Sequence, residues 1–191
     1  MYIKTDYKKL IKKQWLMFMM QKMFMDEKIE EKEINIGIIS DSHDNMNAIK
    51  KAVELFNEND VEMVIHAGDI VSPFTADVFK ELKCDMILIY GNNDGDKLYL
   101  KERFKNIGNF YGDPCIIELY GKKFAITHHP EIVDALSMKY DIVIYGHTHE
   151  KDLREGEKII INPGECCGYL SGVESVAILN SKKMKAHIFE L

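Results

Sequence analysis

Residues 34–45 read INIGIISDSHDN, an apolar run that gives way abruptly to polar side chains. The apolar part, residues 34–40, has the length and composition of a buried strand. The residues that follow place Ile49, Val53 and Phe56 at helical spacing. This segment therefore predicts a β-strand that leads through a short polar loop into an α-helix.

Strand and helix patterns continue to alternate after this first unit. Residues 63–66 and 86–90 are apolar runs of strand length, and residues 74–82 have a helical pattern opened by Ser72 and Pro73. Such alternation predicts an α/β fold with parallel strands.

The second half of the domain begins with a hairpin pattern. Residues 115–120 and 123–127 flank Gly121 and Lys122, which indicates an antiparallel pair and therefore a mixed sheet. The remaining predicted elements are a helix at 131–138 and strands at 141–145, 158–161, 175–179 and 185–189.

Composition narrows the classes of function. A chain of 191 residues fits one domain with one active site, and its formal net charge of −6 opposes non-specific binding to nucleic acids. No nucleic-acid site is therefore predicted.

The four cysteines lack the spacing of zinc or redox motifs, so we assign them to packing as reduced thiols in a cytoplasmic protein. They are Cys84, Cys115, Cys166 and Cys167.

The first 33 residues differ in composition from the rest. Residues 1–25 hold six lysines and six of the eleven methionines, and a charged linker, residues 26–33, follows. The apolar stretch 15–25 is about half the ~20 residues that a membrane-spanning helix needs, so no transmembrane segment is predicted. Three interpretations of this extension stay open: an amphipathic helix that touches a membrane surface or a partner, a helix packed on the domain, or a dispensable segment before a start at Met25. The domain itself is expected to span residues 34–191.

Side chains that can bind metals follow five of the predicted strands. Loops at the carboxyl ends of parallel strands converge at one edge of a sheet, so these side chains are expected to meet. They are Asp41 and His43 after the first strand, Asp69 after the second, Asn92 after the third, His128 after the hairpin, and His147 and His149 after the strand at 141–145.

Seven such ligands are too many for one ion and suit two. Carboxylate, imidazole and amide ligands fit manganese, iron, nickel, cobalt or zinc. One intervening residue in an extended segment would point both ligands of DSH, residues 41–43, to the same side, and the same holds for HTH, residues 147–149. Three other histidines, His66, His129 and His187, are assigned no role in the site.

These motifs, in the order DSH, GD, GN, H and GHTH, resemble the signature of the calcineurin-like metallophosphoesterase superfamily. GNND, residues 91–94, and NPGE, residues 162–165, are similar to the small YfcE-type phosphodiesterase branch. The resemblance implies a four-layer α/β/β/α sandwich with two mixed sheets. It also implies a hydrolase, in particular a phosphodiesterase, that uses two divalent ions, with manganese or nickel favoured, to activate water against a small phosphate ester.

The resemblance further implies individual roles. It assigns one set of ligands to each ion, with Asp69 bridging the two, and makes Asp69, Asn92 and Asn93 the expected catalytic residues. The first ion would be held by Asp41, His43 and His149, and the second by Asn92, His128 and His147. Asn45, just after the first motif, is expected to cap a helix.

Two positions depart from the wider family. Many members carry a histidine that assists the leaving group where this chain has Asn93, and an amide cannot act as a general acid. Slow hydrolysis of esters with poor leaving groups is therefore expected. His128 is followed by His129 and Pro130 rather than by glycine and histidine, and we prefer His128 as the ligand because it directly follows the apolar strand.

Two other functions are considered. A retromer subunit with the same fold serves as an assembly scaffold, but the complete ligand set here favours an enzyme. Related nucleases carry basic surfaces, which this sequence lacks outside its first residues.

Specificity is expected from the loop at 93–111, with Asp94, Asp96, Lys97 and Arg103, although Arg103 also suits a surface helix. A homodimer is compatible with the sequence, which identifies neither an interface nor the natural substrate.

Overall fold

The computed structural model describes residues 33–191, and the predictions for residues 1–32 lie outside this range. The described residues form eleven strands and four α-helices. The strands are β1 (Asn35–Ile39), β2 (Met63–His66), β3 (Asp85–Ile89), β4 (Gly108–Tyr111), β5 (Cys115–Leu119), β6 (Lys122–Thr127), β7 (Ile142–Tyr145), β8 (Lys151–Arg154), β9 (Ile159–Pro163), β10 (Ser175–Asn180) and β11 (Lys185–Glu190). The helices are α1 (Met46–Glu58), α2 (Ala76–Phe79), α3 (Lys97–Phe104) and α4 (Val133–Ser137).

The strands form two mixed sheets. The first has the order β11-β10-β1-β2-β3-β4, with β1 to β4 parallel and β10 antiparallel to both of its neighbours. The second has the order β5-β6-β7-β9-β8, with β6, β7 and β9 parallel and the two edge strands antiparallel. The hairpin and the mixed sheets predicted from the sequence are confirmed.

The sheets stack face to face over a shared apolar core. Ile38 and Ile65 of the first sheet pack in the same buried cluster as Phe124 and Ile144 of the second. Helix α1 covers the outer face of the first sheet, and α4 covers that of the second through Val133. This arrangement confirms the predicted four layers, helix, sheet, sheet and helix.

Helix α1 follows directly from its sequence. Ile49, Val53 and Phe56 are buried on one face, as their spacing predicted. Asn45 caps the helix, because its side chain accepts a 3.2 Å hydrogen bond from the Ala48 amide. The predicted cap is confirmed, and it fixes the point at which the first polar loop ends.

Two helices are shorter than predicted. In place of the helix at 74–82, a 3-10 turn at Pro73–Thr75 precedes α2, and in place of the helix at 131–138, a 3-10 turn at Pro130–Ile132 precedes α4. Both turns begin at a proline, whose missing N–H and fixed φ suit the first turn of a helix. Part of each predicted span is therefore a tighter turn.

The prediction of a loop over residues 93–111 is wrong, because α3 and β4 occupy most of it. Helix α3 buries only Leu100 and Phe104 and has no continuous apolar face, which explains why periodicity did not reveal it. Strand β8 was also missed, since its charged sequence KDLR is that of an exposed edge strand. Within residues 33–191, no helix has the length and apolarity to cross a bilayer.

Candidate metal centre

The seven predicted ligands lie at one edge of the two sheets. They follow β1, β2 and β3, which are parallel in the first sheet, and β6 and β7, which are parallel in the second. Strand β9 is parallel to β7 and adds a sixth segment with Glu165 and Cys167, neither of which was predicted to lie at the site. The signal that could have revealed Glu165 is an acidic residue just past a strand end, as at Asp41 and Asp69.

Backbone hydrogen bonds join three of these segments. The amide of Asp41 donates to the Gly68 carbonyl at 3.1 Å, and the amide of His43 donates to the Asp69 carbonyl at 3.0 Å. The amide of Cys167 donates to the Asp41 carbonyl at 3.1 Å. The loops after β1, β2 and β9 therefore form one connected rim.

Asp41 is fully buried and has only one of its carboxylate oxygens satisfied. The Ser40 hydroxyl donates to Oδ2 at 2.6 Å, and the His147 amide donates to the same oxygen at 3.0 Å. Oδ1 has no hydrogen-bond partner and lies 3.6 Å from His149 Nε2. Burial raises the pKa of this carboxyl, because the charged form loses its hydration.

His149 is held by Glu165. Nδ1 of the ring donates to Glu165 Oε2 at 2.7 Å, which turns Nε2 toward Asp41. Burial opposes ionisation of Glu165, but hydrogen bonds from His149 and Ser171 outweigh it and lower its pKa to about 2. A buried carboxylate that fixes the ring orientation of a histidine is the usual outer partner of a metal-binding imidazole.

Asp69 is fixed by Asn93. The backbone amide of Asn93 donates to Oδ1 at 2.8 Å, and its side-chain amide donates to Oδ2 at 2.7 Å. Burial alone would raise the pKa of Asp69, but hydrogen bonds from His128 and Asn93 lower it below its usual value. Asp69 is therefore held as an anion, and Asn93 lies against it.

Asp94 supports the loop that carries Asp69. Its buried carboxylate accepts hydrogen bonds from the backbone amides of Asp69, Ile70, Val71 and Gly91 at 2.7 to 3.1 Å. The expectation that Asp94 contributes to substrate specificity is wrong, because its carboxylate is buried and both of its oxygens accept hydrogen bonds from the backbone.

The second set of predicted ligands surrounds the side-chain oxygen of Asn92. His147 Nδ1 lies 2.8 Å from this oxygen, and His128 Nε2 lies 3.1 Å from it. His128 Nδ1 donates to the Ala67 carbonyl at 2.8 Å, which turns Nε2 toward the side-chain oxygen of Asn92. A cation between these two atoms would satisfy both.

Five of the seven predicted ligands have a left-handed backbone. Their φ angles are 48° at Asp41, 46° at His43, 59° at Asp69, 74° at His147 and 61° at His149. Residues with side chains adopt this region at a cost of about 1–3 kcal/mol each, and such residues cluster at functional sites. The predicted reason for the DxH and HxH spacing is therefore wrong, because these pairs lie on left-handed turns and not on extended segments.

Two glycines permit the close approach of the loops. A Cβ at Gly91 would collide with the Asp69 carboxylate, and a Cβ at Gly146 would collide with Ser40 Oγ. A side chain at either position would therefore push these loops apart.

The side chains fit divalent cations. Asp41 Oδ1 and His43 Nε2 are buried without a hydrogen-bond partner, a condition that costs about 1–3 kcal/mol per group unless an ion or water satisfies it. Ligand atoms of Asp41, Asp69 and His128 lie within 4.8 Å of one another. The donor set is oxygen and imidazole, which suits divalent first-row metals.

A second group of three ligand atoms involves a cysteine. One ring nitrogen each of His43 and His149 and the thiol of Cys167 lie within 4.8 Å of one another. Cys167 Sγ donates a hydrogen bond to Glu165 Oε2 at 3.2 Å, and the same oxygen accepts the hydrogen bond from His149 Nδ1. The assignment of Cys167 to packing alone is therefore incomplete, because its thiol borders the candidate centre.

The three histidines that were assigned no role have other partners. His66 is buried and lies 2.9 Å from Ser42 Oγ, and burial lowers its pKa to about 3. His129 has a side chain that is 55% exposed and lies near two carboxylates, whereas His128 is 1% exposed and points into the centre. His187 packs its ring against Phe189 on β11.

The remaining polar residues of the segment 93–111 serve its own structure. Asp96 caps α3 by accepting from the Tyr99 amide at 3.0 Å. Arg103 pairs with Asp77 at 2.7 Å, which agrees with its interpretation as a surface helix residue. Lys97 lies over the ring of Tyr90.

Comparison with known proteins identifies the family. The model of the calcineurin-like phosphoesterase superfamily domain matches residues 34–184. Phosphodiesterase MJ0936 of Methanocaldococcus jannaschii is 46% identical over 157 residues, which cover 78% of this chain and 95% of that protein.

Two solved structures are similar to the model. An archaeal phosphodiesterase superposes with a TM-score of 0.78 at 43% identity, covering 83% of this chain and all of that one. YfcE, a phosphoesterase from E. coli, has a TM-score of 0.55 at 19% identity, covering 82% of this chain and 98% of that one, and shows the fold alone. By its matched domain, its archaeal relative and its fold, this chain belongs to the calcineurin-like phosphoesterase superfamily.

Proposed function

We propose that this chain is a phosphodiesterase that hydrolyses a small phosphate diester at two divalent metal ions. The observation that carries the proposal is the convergence of seven oxygen and nitrogen ligands at one sheet edge, with Asp41 Oδ1 and His43 Nε2 left unpartnered. The relative named phosphodiesterase, at 46% identity, supports the same activity.

The proposed ligand sets lie around Asp41 and around Asn92. The first ion is held by the group around Asp41 and the second by the group around Asn92, with Asp69 shared between them. Asp41, His43 and His149 form the first set, and Asn92, His128 and His147 form the second. Manganese or nickel is the proposed metal, and each belongs to the divalent first-row ions that carboxylate, amide and imidazole donors accept.

When bound, two such ions polarise phosphoryl oxygens and lower the pKa of a water molecule so that it can attack phosphorus. The chain's own residues supply the positioning. Glu165 and the Ala67 carbonyl each accept a hydrogen bond from Nδ1 of a histidine, which leaves Nε2 of His149 and of His128 to face the proposed ions. Asn93 orients both oxygens of Asp69. No side chain is required as a nucleophile.

A diester is proposed over a monoester because of the charges around the site. Within residues 33–191, the ion pairs of the predicted ligands join histidines to carboxylates, and none of these pairs contains a lysine or an arginine. A monoester carries a second ionised oxygen that needs compensation, whereas a diester does not.

The thiols of the four cysteines are all free, and we place the protein in the cytoplasm on that ground.

The experiment compares hydrolysis of bis(p-nitrophenyl) phosphate and p-nitrophenyl phosphate by metal-stripped protein after addition of each divalent metal in turn. The proposal expects metal-dependent turnover with a higher kcat/KM for the diester. Bound metal without turnover of either ester would favour the scaffold function. Cleavage of DNA with a steep salt dependence, in preference to the small diester, would favour a nuclease.

A further inference from the structure

A short loop after β9 lies beside the candidate metal centre. Residues 168–172 read GYLSG, and both of its glycines have positive φ, 64° at Gly168 and 75° at Gly172. Between them the loop presents Tyr169, which is 57% exposed, and Leu170, which is 76% exposed. Two large apolar side chains are thus placed in solvent next to the proposed active site.

The loop is fixed to the metal centre by Glu165. The carboxylate of Glu165 accepts hydrogen bonds from the backbone amides of Tyr169 at 3.1 Å, Leu170 at 2.9 Å and Ser171 at 2.5 Å. The same carboxylate holds His149 at 2.7 Å. The loop and a proposed metal ligand therefore share one buried anchor, so the position of the loop is set relative to the centre.

The ring of Tyr169 is also held at its other end. Its hydroxyl donates to Asp44 Oδ1 at 3.0 Å, and its ring centroid lies 6.1 Å from that of His43. Asp44 directly follows His43 in the chain, so both contacts attach the tyrosine to the first metal loop. An exposed aromatic ring held at both ends loses little conformational freedom when a ligand packs on it.

The charge at this rim favours an uncharged ligand group. The Asp44 carboxylate is exposed beside the ring, and the Glu165 carboxylate is buried beneath the loop. Both would repel a further anionic group on the substrate. What fits against Tyr169 and Leu170 is therefore an apolar, flat group joined to phosphate by an ester bond.

We propose that Tyr169 and Leu170 form a platform for an aromatic ring of the substrate, which is thus a phosphodiester with an aryl or nucleoside group. The platform rests on the proposed phosphodiesterase function and deepens it. Stacking of a ring on Tyr169 recognises the non-reacting ester group, and the ions act on the phosphorus beside it.

Three diesters with the same leaving group, p-nitrophenolate, test the platform. Their second ester group is p-nitrophenyl, thymidine or methyl. In the metal-loaded wild-type protein, at least one of the two aromatic esters has a higher kcat/KM than the methyl ester. Comparison of kcat/KM between the p-nitrophenyl and the thymidine ester shows which kind of ring the platform prefers. In Tyr169→Ala, the ratio of kcat/KM for that ester to kcat/KM for the methyl ester falls by about fivefold or more.

Two further variants separate recognition from structure. Tyr169→Phe keeps the ring, loses only the hydroxyl bond to Asp44, and retains the aromatic preference. Met138→Ala removes an exposed apolar side chain just beyond α4 and leaves the ratio as in the wild type. Metal content, measured on each variant, shows whether the centre is intact.

Two results would overturn the platform. One is an equal loss of kcat/KM on all three esters in Tyr169→Ala, and the other is a wild-type enzyme that cleaves the methyl ester as well as both aromatic ones. Either result leaves the phosphodiesterase function standing. The absence of metal-dependent cleavage of any diester would instead reject that function and the platform with it.

Discussion

His149 Nδ1 donates a 2.7 Å hydrogen bond to Oε2 of Glu165, a carboxylate buried beside the candidate metal centre. The bond selects the tautomer of His149 and directs Nε2 toward Asp41. Glu165 itself lies too deep, with too many backbone partners, to be a free ligand. It is a positioning residue that acts through His149.

Glu165→Gln should therefore weaken binding of the first ion by about 10- to 100-fold, because an amide cannot accept from His149 as strongly as a carboxylate. Calorimetric titration of metal-stripped protein measures the two affinities. Glu174→Gln is the matched control, since Glu174 forms only a partly exposed ion pair with Lys51. Equal affinities in the two variants would remove the positioning role.

Asn93→His should accelerate cleavage of diesters with alkyl leaving groups. A histidine beside Asp69 can protonate a departing alkoxide, a contribution of about 10²–10⁴-fold where it is well placed, whereas Asn93 cannot. Bis(p-nitrophenyl) phosphate, whose leaving group needs little assistance, serves as the control substrate. If Asn93→His leaves the rate on an alkyl diester unchanged, the lack of a general acid at position 93 does not limit the cleavage of such esters.

His128→Ala should reduce the bound metal toward one ion per chain, and His129→Ala should not. His128 is buried against Asp69 and Asn92, whereas His129 faces solvent between Asp113 and Glu131. Elemental analysis after reloading gives the stoichiometry of each variant. The same metal content in both would show that the wrong histidine was chosen.

His66 should make the metal-free fold less stable in acid. Burial lowers its pKa to about 3 from 6.5, so between these values the unfolded chain binds a proton that the folded chain does not. The free energy of unfolding then falls as pH drops from about 6.5 to 3, by up to about 1.4 kcal/mol per unit from this group.

His66→Gln removes the titration, and the difference in slope between variant and wild type isolates it. Urea unfolding at several pH values supplies both slopes. Identical slopes over this range would mean that His66 has the same pKa in the folded and the unfolded chain.

Local pattern predicted most of the fold. The strands β1, β2, β3 and β6 are apolar runs bounded by turn residues, and their burial in a shared core is what such runs indicate. The elements that were missed, α3, β4 and β8, bury few side chains and are set by their neighbours. Short charged segments carry little periodic signal, so their structure depends on contacts that sequence spacing does not encode.

The convergence of the predicted ligands could be inferred from the sequence, and the residues that support them could not. Ligands stand directly after strands, where a rule of sheet topology applies. Glu165 and Asp94 act through hydrogen bonds to loops that are distant in the chain, at His149 and at residues 69–71. The left-handed backbone at Asp41 and His43 likewise accompanies hydrogen bonds to Gly68 and Asp69 on a loop that is distant in the chain.

The most direct test is a titration of metal-stripped protein with manganese or nickel while hydrolysis of bis(p-nitrophenyl) phosphate is followed, in the wild type and in Asp69→Asn. A dinuclear centre predicts activity that saturates at two ions per chain and is lost in the variant, whose amide cannot bridge both ions as a carboxylate does. Full activity at one ion per chain, or undiminished activity in Asp69→Asn, would contradict it.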